Sequence, residues 1–219
     1  GRTKDARVEA VRAEKHRTDQ TAMELVDDQV DTLRFRAEAV GLRVEQDAAG
    51  DWTLRGFSQD VPIEDVVEQS TDAGRAVYGE LSAPQREIID EIARINDGWN
   101  KTIEAHGGVV PMRDSIEGEY FPRRVAAREL DGGEVARNTP GGSGRRLGGA
   151  RIGARTQESV AAGVEEGLRY QNPWDAFKGG MRTKARMAQD AYLANLIKPL
   201  AEPNAKAGFG YRPLKDTHP

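Results

Sequence analysis

The run GEYFPRR, which ends at Arg124, makes one unbroken helix through the middle of this 219-residue chain unfavourable. Pro122 has no backbone N–H and restricts Phe121 to extended conformations, so a helix does not continue easily through this pair. We therefore expect Tyr120, Phe121 and Pro122 to pack an extended hinge onto a helical layer, between two halves of the chain. In this arrangement Arg123 and Arg124 turn toward solvent or a partner.

Apolar residues recur at helical spacing on both sides of the hinge. Two stripes precede it and one follows it, each stepping mostly by three or four residues. The stripes are Ala22, Val26, Val30, Leu33, Ala37 and Val40; Ile88, Ile92, Ile95, Trp99, Ile103 and His106; and Trp174, Phe177, Met181, Ala185, Ala188, Tyr192 and Leu196. This pattern predicts a mainly α fold of amphipathic helices, with an extended hinge and a Gly-rich connector.

Local signals suggest where the helices of the first half begin and end. Gly41 stands where a C-terminal cap belongs, directly after the first stripe. Ser82 and Gln85 have the spacing of a capping box and open the second stripe. Between them, Pro62 at a first helical turn predicts a helix over residues 62–78.

After the hinge we predict two further helices. The first covers about residues 156–170 and is weakened by its glycines. The second begins at Asn172 and Pro173, an N-cap followed by a proline at the first helical position. Pro199 and Pro203 are predicted to end it.

Residues 42–55 differ from their helical surroundings. Apolar and polar residues alternate on either side of a short polar loop that contains Gly50. This spacing predicts one small β-hairpin.

Four regions follow from these patterns. They are an acidic helical region with the hairpin (1–119), the hinge and basic Gly-rich connector (120–155), a C-terminal helical region (156–203) and an extended tail (204–219). The acidic region carries 15 Lys and Arg against 26 Asp and Glu, and the rest carries 17 against 10. This division favours either an oppositely charged partner or packing of the two halves on each other. Because the chain opens on glycine, we expect it to be part of a longer polypeptide.

The residues that most chemistry requires are scarce. There is no cysteine, and the three histidines (His16, His106 and His218) are far apart, so we predict no metal site and no cofactor. No apolar run approaches the roughly 18–20 residues of a membrane span. Glu117 and Glu119 could act as paired acids in an enzyme. However, two neighbouring acids are expected by chance in a chain that contains 36 Asp and Glu residues. We therefore predict no catalytic residues.

Arginines concentrate in the hinge and connector. Residues 123–155 hold eight arginines against three acids. Such Arg/Gly-rich segments can follow a phosphate backbone, although no aromatic residue after 124 is present there to stack on bases. The predicted partner-binding or nucleic-acid-binding residues are Arg123, Arg124, Arg145, Arg146, Arg151 and Arg155. An acidic surface on a neighbouring subunit would attract them equally well.

The order of these features resembles one found in a family of phage proteins. The resemblance rests on the helix at 88–106, the run GEYFPRR, the basic connector, the run TQES from Thr156, the glycines 163 and 167, and the Asn172-Pro173 helix. It covers roughly residues 85–200. Similar segments occur in very large virion-associated proteins of tailed bacteriophages, namely the internal or ejection proteins and related large polyvalent proteins.

The resemblance implies a structural virion component that acts in genome delivery. It implies a location in the virion, and in the host envelope or cytoplasm after ejection. The implied partners are portal, tail or internal core proteins, further copies of the chain and, non-specifically, DNA. Two alternatives stay open: a non-catalytic nucleic-acid-binding module that uses the arginines, and a fragment of a cell-wall-degrading phage enzyme.

Overall fold

Helices dominate the structure, a computed structural model that describes residues 2–110, 121–129, 135–137 and 159–201 (67% helix). The helices are α1 (Arg2–Ala39), α2 (Ile63–Val67), α3 (Asp72–Glu80), α4 (Ala83–Ala105), α5 (Val160–Glu165) and α6 (Pro173–Ala201). The strands are β1 (Arg43–Gln46), β2 (Trp52–Arg55), β3 (Val125–Glu129), β4 (Val135–Arg137) and β5 (Leu168–Tyr170). The predicted mainly α fold with a small hairpin is confirmed.

The three long helices α1, α4 and α6 pack around one hydrophobic core. α1 runs antiparallel to α6, since Lys15 in the first half of α1 pairs with Asp190 in the second half of α6, whereas Asp31 later in α1 pairs with Lys178 early in α6. α1 also runs antiparallel to α4, since Arg36 in its last turn is paired with Glu87 in the first turns of α4. The buried members of the predicted stripes are Ala22, Val26, Val30, Leu33, Ala37, Ile88, Ile92, Trp99, Ile103, Trp174, Phe177, Met181, Ala185 and Ala188.

The predicted caps are present at three helix ends. Gly41 has a φ of 83° directly after α1, and the N–H of Leu42 donates to the carbonyl of Ala37 at 2.9 Å. At the start of α4 the backbone N–H of Ser82 donates to Oε1 of Gln85 at 2.9 Å. At the start of α6 the side-chain Oδ1 of Asn172 accepts a hydrogen bond from the backbone N–H of Trp174 at 2.9 Å. These caps satisfy backbone groups that a helix end leaves without a partner.

The hairpin pairs β1 with β2 in antiparallel register, with Val44 opposite Leu54. In the connecting loop, the Asp47 carboxylate accepts hydrogen bonds from the backbone N–H groups of Ala49 and Asp51. Leu54 is buried, and its N–H donates to the carbonyl of Val61, which ties the hairpin to the segment before α2.

The single helix predicted over 62–78 is wrong. The chain forms α2 and α3 instead, and Gln69 between them has a left-handed φ of 48°. The side chain of Thr71 starts α3 by accepting from the N–H of Gly74 at 2.9 Å. A Cβ on Gly74 would lie 2.2 Å from the carbonyl oxygen of Asp65, so the two helices meet at a distance that only glycine allows here.

Two further predictions in the second half need correction. The helix predicted over 156–170 is limited to α5, because Ser159 caps it and Gly167, with a φ of 81°, turns the chain into β5. β5 joins β3 and β4 in a three-stranded antiparallel sheet that the sequence did not predict. α6 ends at Ala201, between the two prolines that were predicted to end it.

Opposite charges from the two halves of the chain meet within the fold. Residues from β5 and α6 are paired with acids from α1 and the hairpin loop. The pairs are Lys178 with Asp31 at 2.5 Å, Arg182 with Asp27 (Nε to Oδ1) at 2.7 Å, and Arg169 with Asp51 at 3.0 Å. Part of the charge division is therefore used for packing of the two halves on each other.

Candidate functional site

The predicted hinge lies on α6 and α2. Phe121 is fully buried, as its position beside Pro122 predicts, and its ring centroid lies 5.2 Å from that of Phe177. Its backbone N–H donates to Oε1 of Glu68 at 2.8 Å. Tyr120 lies outside the described residues. Phe121 therefore contributes both a side chain to the core and a backbone bond to the end of α2.

Two adjacent glycines of α6 form the seat for the next residues of the hinge. A Cβ on Gly180 would lie 2.5 Å from Cγ of Pro122, and one on Gly179 would lie 2.6 Å from Cζ of Arg124. Pro122 is buried and Arg124 is exposed. The extended segment thus crosses α6 in direct contact with its backbone, which explains two glycines inside a long helix.

We expect Gly180→Ala to destabilise the fold by about 1–3 kcal/mol, the usual range for overpacking, because the Pro122 ring cannot move without its backbone. Gly179→Ala is the matched control. It meets only the flexible end of Arg124 and gains helix propensity, so its effect should be neutral or stabilising. Urea unfolding of both variants checks this, and equal effects would contradict the proposed seat.

α2 and the residue that caps its C-terminal end hold three buried carboxylates, Glu64, Asp65 and Glu68, which we call the acidic turn. Asp65 binds the start of α5: its Oδ1 accepts from the N–H of Val160 at 2.8 Å and its Oδ2 from the N–H of Ala161 at 3.1 Å. Since Glu68 binds Phe121, the acidic turn fixes two segments that are far apart in sequence.

Arg123 supplies positive charge to the acidic turn. Its guanidinium lies 3.4 Å from Oδ1 of Asp65 and also pairs with Oε2 of Glu68. The Arg123 side chain is only 7% exposed. The expectation that it faces solvent or a partner is therefore wrong, because buried carboxylates require a nearby cation and Arg123 provides it.

Glu64 is the third member of the acidic turn and lies apart from the ion pairs. Burial raises the pKa of its carboxyl to about 8, opposed in part by a backbone hydrogen bond and the charge of Arg123. Within the described part of the chain its Oε2 has no hydrogen-bond partner. At neutral pH we therefore expect Glu64 to be protonated in the folded state.

This protonation makes stability depend on pH. The unfolded chain releases the Glu64 proton above its ordinary pKa of 4.5, whereas the folded chain keeps it up to about 8. The folded state thus binds more protons in this window, so stability should fall by a few kcal/mol between the two pKa values and level off above the upper one.

Glu64→Gln should remove this part of the pH dependence and be more stable than the wild type above pH 8. Urea unfolding at several pH values across the window measures the difference between the two chains. The same slope in both would show that Glu64 does not carry the effect.

The acidic turn is arranged to join segments rather than to react. Its three carboxylates are closed off from solvent, so a substrate has no access to them. Among the residues that the structure describes, no group of three or more His, Asp or Glu could hold a metal ion. The described helices also include none that is long and apolar enough to cross a membrane.

The remaining predicted site residues are not brought into this region by the described structure. Arg145, Arg146, Arg151 and Arg155 lie outside the described residues, as do Glu117 and Glu119. The acidic turn and the Gly179–Gly180 seat were missed. The only signal for them was the placement of two adjacent glycines in a predicted helix and of three acids beside the apolar residues Ile63, Val66 and Val67.

No protein-family model, curated protein or solved structure matches this chain.

Proposed function

We propose that this chain is a structural, non-catalytic component of a tailed-bacteriophage particle, within an internal or ejection protein assembly that acts in genome delivery. Portal, tail or internal core proteins are its proposed partners, in the virion and then in the host envelope or cytoplasm. The proposal rests on the resemblance of residues 85–200 to such proteins.

One observation supports it most. Two of the segments within the resemblance meet on the acidic turn, which itself lies outside the resemblance, and they bind it rather than line an open cleft. Phe121 and Arg123 of GEYFPRR bind the acidic turn, and the backbone N–H groups of Val160 and Ala161, which directly follow TQES, donate to Asp65 from the other end of the connector. A motif used in this way belongs to a scaffold, in line with the structural role of such segments in the phage proteins.

The position of Arg123 weakens the hypothesis that the arginines bind nucleic acid. Arg123 is used inside the fold, so of the six arginines only Arg124 is both described and exposed. Nucleic-acid binding would depend on the four arginines at 145–155. It would be recognised by an affinity that falls steeply and log-linearly with salt concentration.

The test is the protein content of purified particles. Mass spectrometry should detect tryptic peptides from α4 and α6 in DNA-filled particles of the phage whose genome carries this reading frame. The same peptides should be depleted from particles that have ejected their DNA in vitro, while major capsid peptides serve as the retained control. Absence from filled particles would reject the proposal, and retention after ejection would reject the role in delivery.

A further inference from the structure

A groove runs between α1 and α4, and Gln189 of α6 also lines it. It has a volume of about 550 Å³ and continues into a second depression of about 260 Å³. Leu25 projects from the α1 wall, Ile95 and Trp99 form the apolar floor, and Gly98 lies in the α4 wall. We call this the α1–α4 groove.

The α1 wall carries a projecting side chain, Leu25, and the α4 wall carries an open space, at Gly98, at the same level along the helix axes. Leu25 is 50% exposed, which is unusual for a leucine in a helix whose other face is fully buried. Gly98 lies within α4, where glycine weakens a helix. A Cβ there would meet nothing within 4 Å, so packing inside the chain does not explain this glycine. An open glycine on a helix surface allows the backbone of another helix to approach closely.

The walls also carry opposite charges at the same height. Asp28 lines the groove on α1 three residues after Leu25, and Arg94 lines it on α4 four residues before Gly98. Because α1 and α4 are antiparallel, Asp28 and Arg94 are displaced from Leu25 and Gly98 toward the same end of the groove. The displacements are about 4.5 Å on α1 and about 6 Å on α4. The Arg94 side chain is 62% exposed, so it can contact a second partner besides Glu91.

We propose that the α1–α4 groove is a two-fold interface between two copies of this chain. A two-fold axis along the groove, parallel to the helices, places α1 of each copy on α4 of the other. Leu25 of each copy then lies against Gly98 of the other, and Asp28 of each copy lies opposite Arg94 of the other. The floor residues Ile95 and Trp99 of both copies are covered by the same contact.

A second copy fits this surface better than an unrelated helix, because one axis satisfies both complementary pairs twice. Symmetric dimers use this kind of self-complementary patch. The groove spans about 16 residues of α1, or roughly 24 Å, by two helix widths of about 10 Å each. The contact area that these dimensions allow is at the low end for specific interfaces, so we expect a dimer of micromolar affinity.

The first test separates the interface from the fold. Sedimentation equilibrium of the wild-type chain should show a reversible monomer–dimer equilibrium in the micromolar range. Gly98→Gln should shift the chain to monomer while its thermal midpoint stays at or above that of the wild type. Gly79→Gln is the control, because Gly79 is an equally open helical glycine in α3, away from the groove. A monomeric wild type, or a Gly98→Gln chain that dimerises like the wild type, would overturn the proposal.

The second test examines the two-fold pairing itself. Asp28→Arg brings two cations together at each contact of its own dimer, and Arg94→Asp brings two acids together. Each variant alone should therefore dimerise about tenfold more weakly or worse. In an equimolar mixture of the two variants, each contact of a heterodimer joins one arginine to one aspartate if the pairing is as proposed. Mixing should therefore restore dimerisation, and a mixture as monomeric as the separate variants would contradict the pairing.

The double variant Asp28→Arg with Arg94→Asp tests whether residues 28 and 94 are paired across the two-fold axis. It exchanges the two charges, so each contact of its own dimer is again an opposite-charge pair, and dimerisation should return to within about threefold of the wild type. A double variant as monomeric as the single ones would show that the pairing is wrong. Neither test depends on whether the chain belongs to a phage particle.

Discussion

Arg123→Met should lower the free energy of unfolding by about 3–5 kcal/mol, because it leaves the buried carboxylates of Asp65 and Glu68 without their guanidinium. Methionine keeps much of the aliphatic volume of the side chain, so the loss reports mainly the charge. Chemical denaturation followed by circular dichroism measures it.

Arg124→Met is the control for this variant. Arg124 is the next residue in the chain, but its side chain is exposed and lies against Gly179, and no acid of the described ranges pairs with it. Its replacement should cost less than about 1 kcal/mol, as for most surface charges. If the two variants were equally stable, Arg123 would have to be free of the acidic turn in solution.

Phe121→Ala should cost about 3–5 kcal/mol, the range for truncation of a buried phenylalanine. The loss has two parts, the cavity beside Phe177 and weaker anchoring of the backbone N–H that binds Glu68. Amide hydrogen exchange should show the larger change in α2 and α6, because these helices hold the residue from both sides.

Phe35→Ala provides the comparison. Phe35 is 73% exposed on α1, so its truncation removes little buried area and should change stability by less than about 0.5 kcal/mol. A similar effect at both positions would mean that Phe121 is not part of the core.

Features that depend on neighbouring residues could be predicted from the sequence. The apolar stripes of α1, α4 and α6 identify their buried faces, because a helix repeats every 3.6 residues whatever it packs against. The caps at Gly41, at Ser82 with Gln85 and at Asn172 are likewise set within one turn of the helix end.

Features that depend on distant residues could not be predicted. The acids of the acidic turn have the appearance of a solvated helix face, and their burial depends on Arg123, which lies 55 residues from Glu68. The break between α2 and α3 depends on the close approach of Gly74 to Asp65. β5 is only three residues long, so its strand conformation is determined by pairing with β3 rather than by its own composition.

The contacts of Asp65 also bear on how the length of this protein can change. The chain leaves the acidic turn at Arg123 and returns to the same carboxylate at Val160, so the intervening stretch is closed at its base by one side chain. Closing a loop costs free energy that grows only with the logarithm of its length, about 0.6 kcal/mol for each doubling. Insertions between 138 and 158, including a whole reporter domain whose termini lie close together, should therefore be accommodated while the bundle keeps its stability.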